Sequence, residues 1–152
     1  MKFTIDKALV EGIAAHKDGR LQDAEKFYTA ILNAEPKHAN TNHNMGVLFV
    51  NCGKIDKALI YFKTAIETNP TIAQFWLSYI DACIQLNKTQ QAKLIYEKAI
   101  HKGFTGKGFD NLGEKLNMRT KQSSFSTKPI NPTQSQFAYL INLYKDGQLE
   151  LA

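Results

Sequence analysis

The sequence predicts an all-α fold: a solenoid of three stacked helical hairpins, followed by a capping helix and a separate C-terminal helix. Three observations predict it. Gly12, Gly19, Ala24 and Pro36 recur at Gly46, Gly53, Ala58 and Pro70, always 34 residues on. Tyr28 is answered at the same step by Phe62 and then Tyr96, while Ala92 extends the Ala24/Ala58 series and Ala65 recurs as Ala99. Between these marks the apolar residues fall three and four apart, the spacing of one helix face.

The first unit spans residues 5–38. Ala8, Leu9, Ile13 and Ala15 give its first helix, and Asp18-Gly19-Arg20 interrupts the pattern as a turn. A second helix over 21–34 carries Leu21, Ala24, Tyr28, Ile31 and Leu32 on one stripe, and Pro36 ends it because proline cannot continue the backbone ladder. The second unit, 39–72, repeats the plan with a turn at Cys52-Gly53-Lys54 and a stop at Pro70. The third, 73–106, turns at Leu86-Asn87-Lys88. There Asn87 takes the glycine place, as the residue after glycine best able to adopt the left-handed conformation that closes a helix. Small Gly12, Gly46, Ala58 and Ala92 let helix axes approach, and Trp76 is expected to wedge between helices.

Beyond Gly106 the pattern changes. Phe109, Leu112 and Leu116 predict a short amphipathic helix, with 107–118 capping the apolar end of the third unit. Residues 119–132, with Ser123, Ser124, Ser126, Pro129 and Pro132, read as a polar linker. Phe137, Leu140, Ile141 and Tyr144 give a further helix, 134–146. Asp146-Gly147-Gln148-Leu149 then echoes Asp18-Gly19-Arg20-Leu21, so 133–152 reads as the start of another unit that is cut short within a longer protein.

These positions in register give the chain its resemblance to tetratricopeptide repeat proteins. The matching residues are Gly12, Gly19, Ala24, Tyr28 and Pro36, then Gly46, Gly53, Ala58, Phe62, Ala65 and Pro70, and finally Trp76, Ala92, Tyr96 and Ala99. Phe104 in place of proline and Ile80 in place of glycine depart from the pattern. The resemblance implies a right-handed α–α superhelix whose first helices line a concave groove. It resembles, too, the N-terminal arrays of larger bacterial enzymes such as glycosyltransferases and sulfotransferases, which implies a recruiting duty.

Carried onto this sequence, the groove takes Leu9, Ile13, His16 and Lys17, with Asp6 nearby, from the first unit. It takes Asn40, His43, Asn44, Val47 and Asn51 from the second, and Gln74, Leu77, Ser78, Asp81 and Gln85 from the third. Side-chain amides there can both donate to and accept from an extended peptide backbone. Equally, Asn40, Asn42 and Asn44 can cap and solvate the helix start. Repeat domains that grip chaperone carboxylate tails use lysines and an arginine at places held here by Leu9, Ile13, Gln74 and Ser78, leaving Asn44 the one match. A chaperone-tail adaptor is therefore not expected.

Other chemistries find little footing. With 43% hydrophobic and 22% charged residues the composition is that of an ordinary soluble domain, no apolar run is long enough for a membrane span, and the start lacks a secretory signal. Cys52 and Cys83, both assigned to helices, read as core filling in a reducing cytoplasmic protein rather than as a disulfide. His16, His38, His43 and His101 lack helix metal-pair spacing, so no metal or cofactor is expected. No nucleophile-elbow motif accompanies the serines. Gly103-Phe104-Thr105-Gly106-Lys107-Gly108 lacks the spacing of a phosphate cradle, so the chain is not expected to be an enzyme. The net charge of +5 concentrates in residues 88–128, where nine basic residues face three acids. A solvated face explains this more simply than nucleic acid does.

The reading is thus a module that binds a peptide or partner domain in its groove. The alternative is a self-associating scaffold, a homo-oligomer joined through helix 134–146.

Overall fold

The computed structural model describes residues 4–118. Among these the chain forms α1 (Ile5–Lys17), α2 (Leu21–Ala34), α3 (Ala39–Asn51), α4 (Ile55–Thr68), α5 (Ala73–Gln85), α6 (Thr89–His101) and α7 (Lys107–Lys115), with no strand among the described residues. The linker at 119–132 and the unit at 133–152, with its helix 134–146 and any oligomer contact it makes, lie outside the described residues.

The 34-residue step governs the backbone as well as the sequence. The residues that precede α1, α3, α5 and α7 are Thr4, His38, Ile72 and Gly106, one step apart. Thus α7 begins where the first helix of a fourth hairpin would. Helix closure repeats too. After α1 the Gly19 N–H donates to the His16 carbonyl at 3.1 Å and the Arg20 N–H to the Ala15 carbonyl at 2.9 Å. This pair of bonds satisfies carbonyls that the helix end leaves open, and it needs a left-handed residue. Gly19 supplies it at φ +76°, and Asn87 does the same at φ +56°, with Asn87 N–H to Ile84 O and Lys88 N–H to Cys83 O both at 2.9 Å.

Cys52 departs from expectation. It caps α3 at the turn and is exposed, because α3 closes there through Gly53; only Cys83 is buried. His38 caps the start of α3: its Nδ1 accepts from the Thr41 N–H at 3.3 Å and from the Thr41 hydroxyl at 2.8 Å, standing in for the usual Ser or Asp.

Within the hairpins, glycine admits an aromatic ring. A Cβ on Gly12 would stand 2.7 Å from Tyr28 Cε1, and one on Gly46 2.5 Å from Phe62 Cε1, closer than real atoms approach. Both rings are 1% exposed. In the third hairpin Ile80 fills the glycine place and is wholly buried. There α5 and α6 pack less closely than the helices of the other two hairpins, which is the room a four-carbon side chain requires.

Successive hairpins are pinned by their loops. The Asn42 amide donates to the Pro36 and His38 carbonyls at 3.0 Å each, and Asn42 is 3% exposed. One step on, Trp76 Nε1–H donates to the Pro70 carbonyl at 3.0 Å. Trp76 is buried as the wedge, with the Phe104 ring 6.1 Å away. Phe104, in place of the third proline, stacks on Phe109 at 5.8 Å, so the loop secures α7 by ring contact instead.

Two apolar clusters share Phe49: one around Ala15, Ala24, Tyr28, Met45 and Leu48, and a larger one from Ala58 to Leu116. Phe109, Leu112 and Leu116 belong to the second, and α7 packs on α5.

Candidate partner groove

Helices α1, α3, α5 and α7 each touch the next, whereas no comparable contact joins α2 to α4 or α4 to α6. One layer is therefore close-spaced and the other splayed, which is the geometry of a curved stack with its first helices inside. The inner layer consists of the helices that carry the residues the sequence assigned to a groove.

Between α3 and α5 the inner face encloses a hollow of about 230 Å³. Its rim is His43, Gln74, Ser78, Asp81 and Gln85, and its apolar lining is Val47, Val50, Phe62 and Ala82. Six of these nine come from the sequence-derived set. Val50, Phe62 and Ala82 do not. Phe62 reaches the inner face from α4 only because Gly46 carries no side chain to cover it, and the period marks that glycine without saying what it uncovers.

Polar pairs form rungs from each inner helix to the next. The Asn51 amide donates to His16 Nε2 at 2.9 Å, which leaves the His16 ring proton on Nδ1, 3.4 Å from the Tyr28 hydroxyl. His43 Nε2 and Ser78 Oγ lie 2.9 Å apart, and the Gln74 amide donates to the same hydroxyl at 3.3 Å. The Lys115 ammonium reaches Asp81 Oδ1 at 3.4 Å, while the Gln85 amide donates to Oδ2 at 2.6 Å. Lys115 was not among the sequence candidates.

The His43 ring stacks on Phe75 with centroids 4.7 Å apart and an interplanar angle of 23°. Burial pulls its pKa below the ordinary value, partly offset by the neighbouring Asn44 side chain. Burial lowers His16 as well and raises the Tyr28 phenol. Both histidines are thereby biased towards neutral, hydrogen-bonding forms.

The remaining candidates separate by surroundings. Leu9 packs on the first apolar cluster, and Leu77 packs on the second, where a Cβ on Gly108 would stand 3.1 Å from it; α7 occupies that side. Lys17 and Asn40 are exposed, Ile13 and Asn44 half-buried, and Asn44 lies outside the lining of the hollow. Among the described residues no group of three or more His, Cys, Asp or Glu side chains is placed to hold a metal ion. No described helix is long and apolar enough to cross a membrane.

Comparison with known proteins agrees with this architecture. Residues 39–72, the α3–α4 hairpin with its closing loop, match the tetratricopeptide repeat model. A 66-residue stretch is 36% identical to the photosystem I assembly protein Ycf3 of Acaryochloris marina (strain MBIC 11017), covering 41% of this chain and 40% of that relative. The match thus spans less than half of the relative's length. Among solved structures, the TPR domain of Sgt2 from Aspergillus fumigatus aligns over 85% of this chain and 87% of its own, with a TM-score of 0.67 at 22% identity. The second TPR domain of human RPAP3, in complex with an HSP70 peptide, aligns over 76% of this chain and all of its own, with a TM-score of 0.66 at 18% identity. At such identities the structural likeness is one of fold.

Proposed function

We propose that this tetratricopeptide-repeat array is a protein–protein interaction module whose inner face holds an extended segment of a partner. The observation that carries the reading is the hollow between α3 and α5: an apolar floor of Val47 and Phe62 under a rim of amide, hydroxyl and imidazole groups. Apolar floors give a guest side chain somewhere to leave water, and amides that donate and accept can hold its backbone. Peptide-bound relatives of the same fold support the general mode.

A terminal carboxylate is not the proposed guest. Leu9, Ile13, Gln74 and Ser78 offer it no cation, and Lys115 is already engaged with Asp81. A neutral, mixed polar and apolar segment fits the rim better, in a reducing cytoplasmic setting where the exposed Cys52 thiol stays free.

The test is partner recovery. Asn44→Ala combined with Gln74→Ala alters exposed or half-buried groove amides without emptying the core. The pair is expected to weaken capture of the partner recovered with the full chain by about tenfold, a loss of ~1.4 kcal/mol, with an unchanged thermal midpoint. Full retention of the partner by the double variant contradicts the reading.

A further inference from the structure

The face opposite the groove has a second recess. Between α4 and α6, where the outer layer splays, lies a cleft of about 520 Å³. Its floor is apolar: Ile66, Trp76, Tyr79 and Ile95. Leu94 lines the cleft too and is 59% exposed, a large apolar side chain left in water beside an apolar floor, as at a contact surface.

Charge says what covers it. Lys63, Lys98 and Lys102 line the cleft and Glu67 is the lone acid among its lining residues, 3.8 Å from Lys63. Lys102 lies over the Trp76 ring at 6.0 Å, and among the described residues neither it nor Lys98 has a carboxylate at ion-pair distance. The repeat itself supplies the comparison. One step earlier the places of Lys63, Lys98 and Lys102 are held by Thr29, Thr64 and Thr68, and that of Trp76 by Asn42. The solenoid plan therefore does not require these cations or this indole. They belong to the α4–α6 interval alone.

We infer that the α4–α6 cleft is a second docking site, for an acidic amphipathic helix of another protein. Its apolar face lies on Trp76, Tyr79 and Leu94, and its flanking carboxylates face Lys63, Lys98 and Lys102. The cleft runs between two helices, the geometry in which a third helix lays an apolar stripe into a groove. Carboxylates give register and salt sensitivity more than raw affinity. The site is independent of the inner-face hollow, on residues that hollow does not use.

Trp76 is the one tryptophan of the chain and reports occupancy directly. The probe is a synthetic amphipathic helix of roughly 15 residues, long enough for four turns, with leucines on one face and glutamates flanking them. Added to the full chain, it is expected to shift Trp76 emission saturably, and less so as salt rises. Lys98→Glu with Lys102→Glu is expected to weaken binding at least about tenfold, and the milder Lys98→Gln with Lys102→Gln to weaken it less; Gln74→Ala leaves it unchanged. Far-UV circular dichroism confirms that each variant folds, and Leu94→Ser provides a charge-free variant expected to weaken the probe. The inference is overturned if the probe leaves the emission unmoved, if an analogue with lysine at every glutamate binds as well, or if charge reversal has no effect. Tighter binding through the same lysines by single-stranded RNA or by phosphatidylserine vesicles overturns it also, in favour of those surfaces.

Discussion

His16 and His43 sit in the rungs between inner helices, and burial holds both below the ordinary histidine value of 6.5. The unfolded chain therefore binds protons more readily than the folded one. The stability this supports is complete above about pH 7 and is lost as pH falls below 6.5 and through the lowered folded values. Urea midpoints measured at neutral and mildly acidic pH should show the decline. His43→Gln, which keeps a hydrogen-bonding group near Ser78, should flatten it; a variant as pH-sensitive as the parent contradicts the assignment. The left-handed closures give a second residue-scale expectation. Asn87→Gly should change stability by less than ~0.5 kcal/mol, because both residues adopt φ +56°, whereas Gly53→Ala at φ +71° should cost about 1 kcal/mol. Denaturant titration separates the two. At this scale the sequence was most legible where backbone conformation alone decides, as at Asn87. It was least legible where a side chain has two polar uses. Asn42, Asn44 and Asn51 look alike in sequence, yet one pins a loop, one borders a histidine and one bridges α3 to His16.

Between elements, the glycine-to-aromatic contact sets helix spacing. Gly46→Ala should destabilise the protein by ~1–3 kcal/mol, because its new carbon would stand 2.5 Å from a buried ring. Adding Phe62→Leu should recover part of that loss, so a double-mutant cycle with zero coupling sinks the explanation. Helix α7 offers the complementary case. Phe109→Ala removes a ring that is 2% exposed and should cost about 3 kcal/mol. In a stack where each hairpin leans on its neighbours, faster amide exchange should be confined to α5–α7 and spare α1 and α2. Helix starts and stops could be read from turn residues and prolines because those are local effects. That α7 keeps the register of an inner helix was harder to see. The anchoring proline had become Phe104, and the step continues in backbone position rather than in residue type.

For the molecule as a whole, the inner and outer layers differ in spacing, and each recess follows from that difference. The inner hollow was largely legible, since His43, Val47, Gln74, Ser78, Asp81 and Gln85 all lie on first helices. Phe62 was not, because its access to that face depends on a gap in another helix. The outer cleft was invisible for a related reason: Lys98 and Lys102 are neighbours one turn apart at the end of α6, but Lys63 comes from α4, and they line one recess only where the outer layer splays. The proposal that the inner face holds a partner is tested most directly by photo-crosslinking in the cells that make the protein. Benzoylphenylalanine is placed singly at Gln74, at Gln85, or at exposed Glu25 on α2. Capture of one common partner from Gln74 and Gln85 but not from Glu25 is the predicted result. Equal capture from Glu25, or none from the two hollow positions, contradicts the proposal.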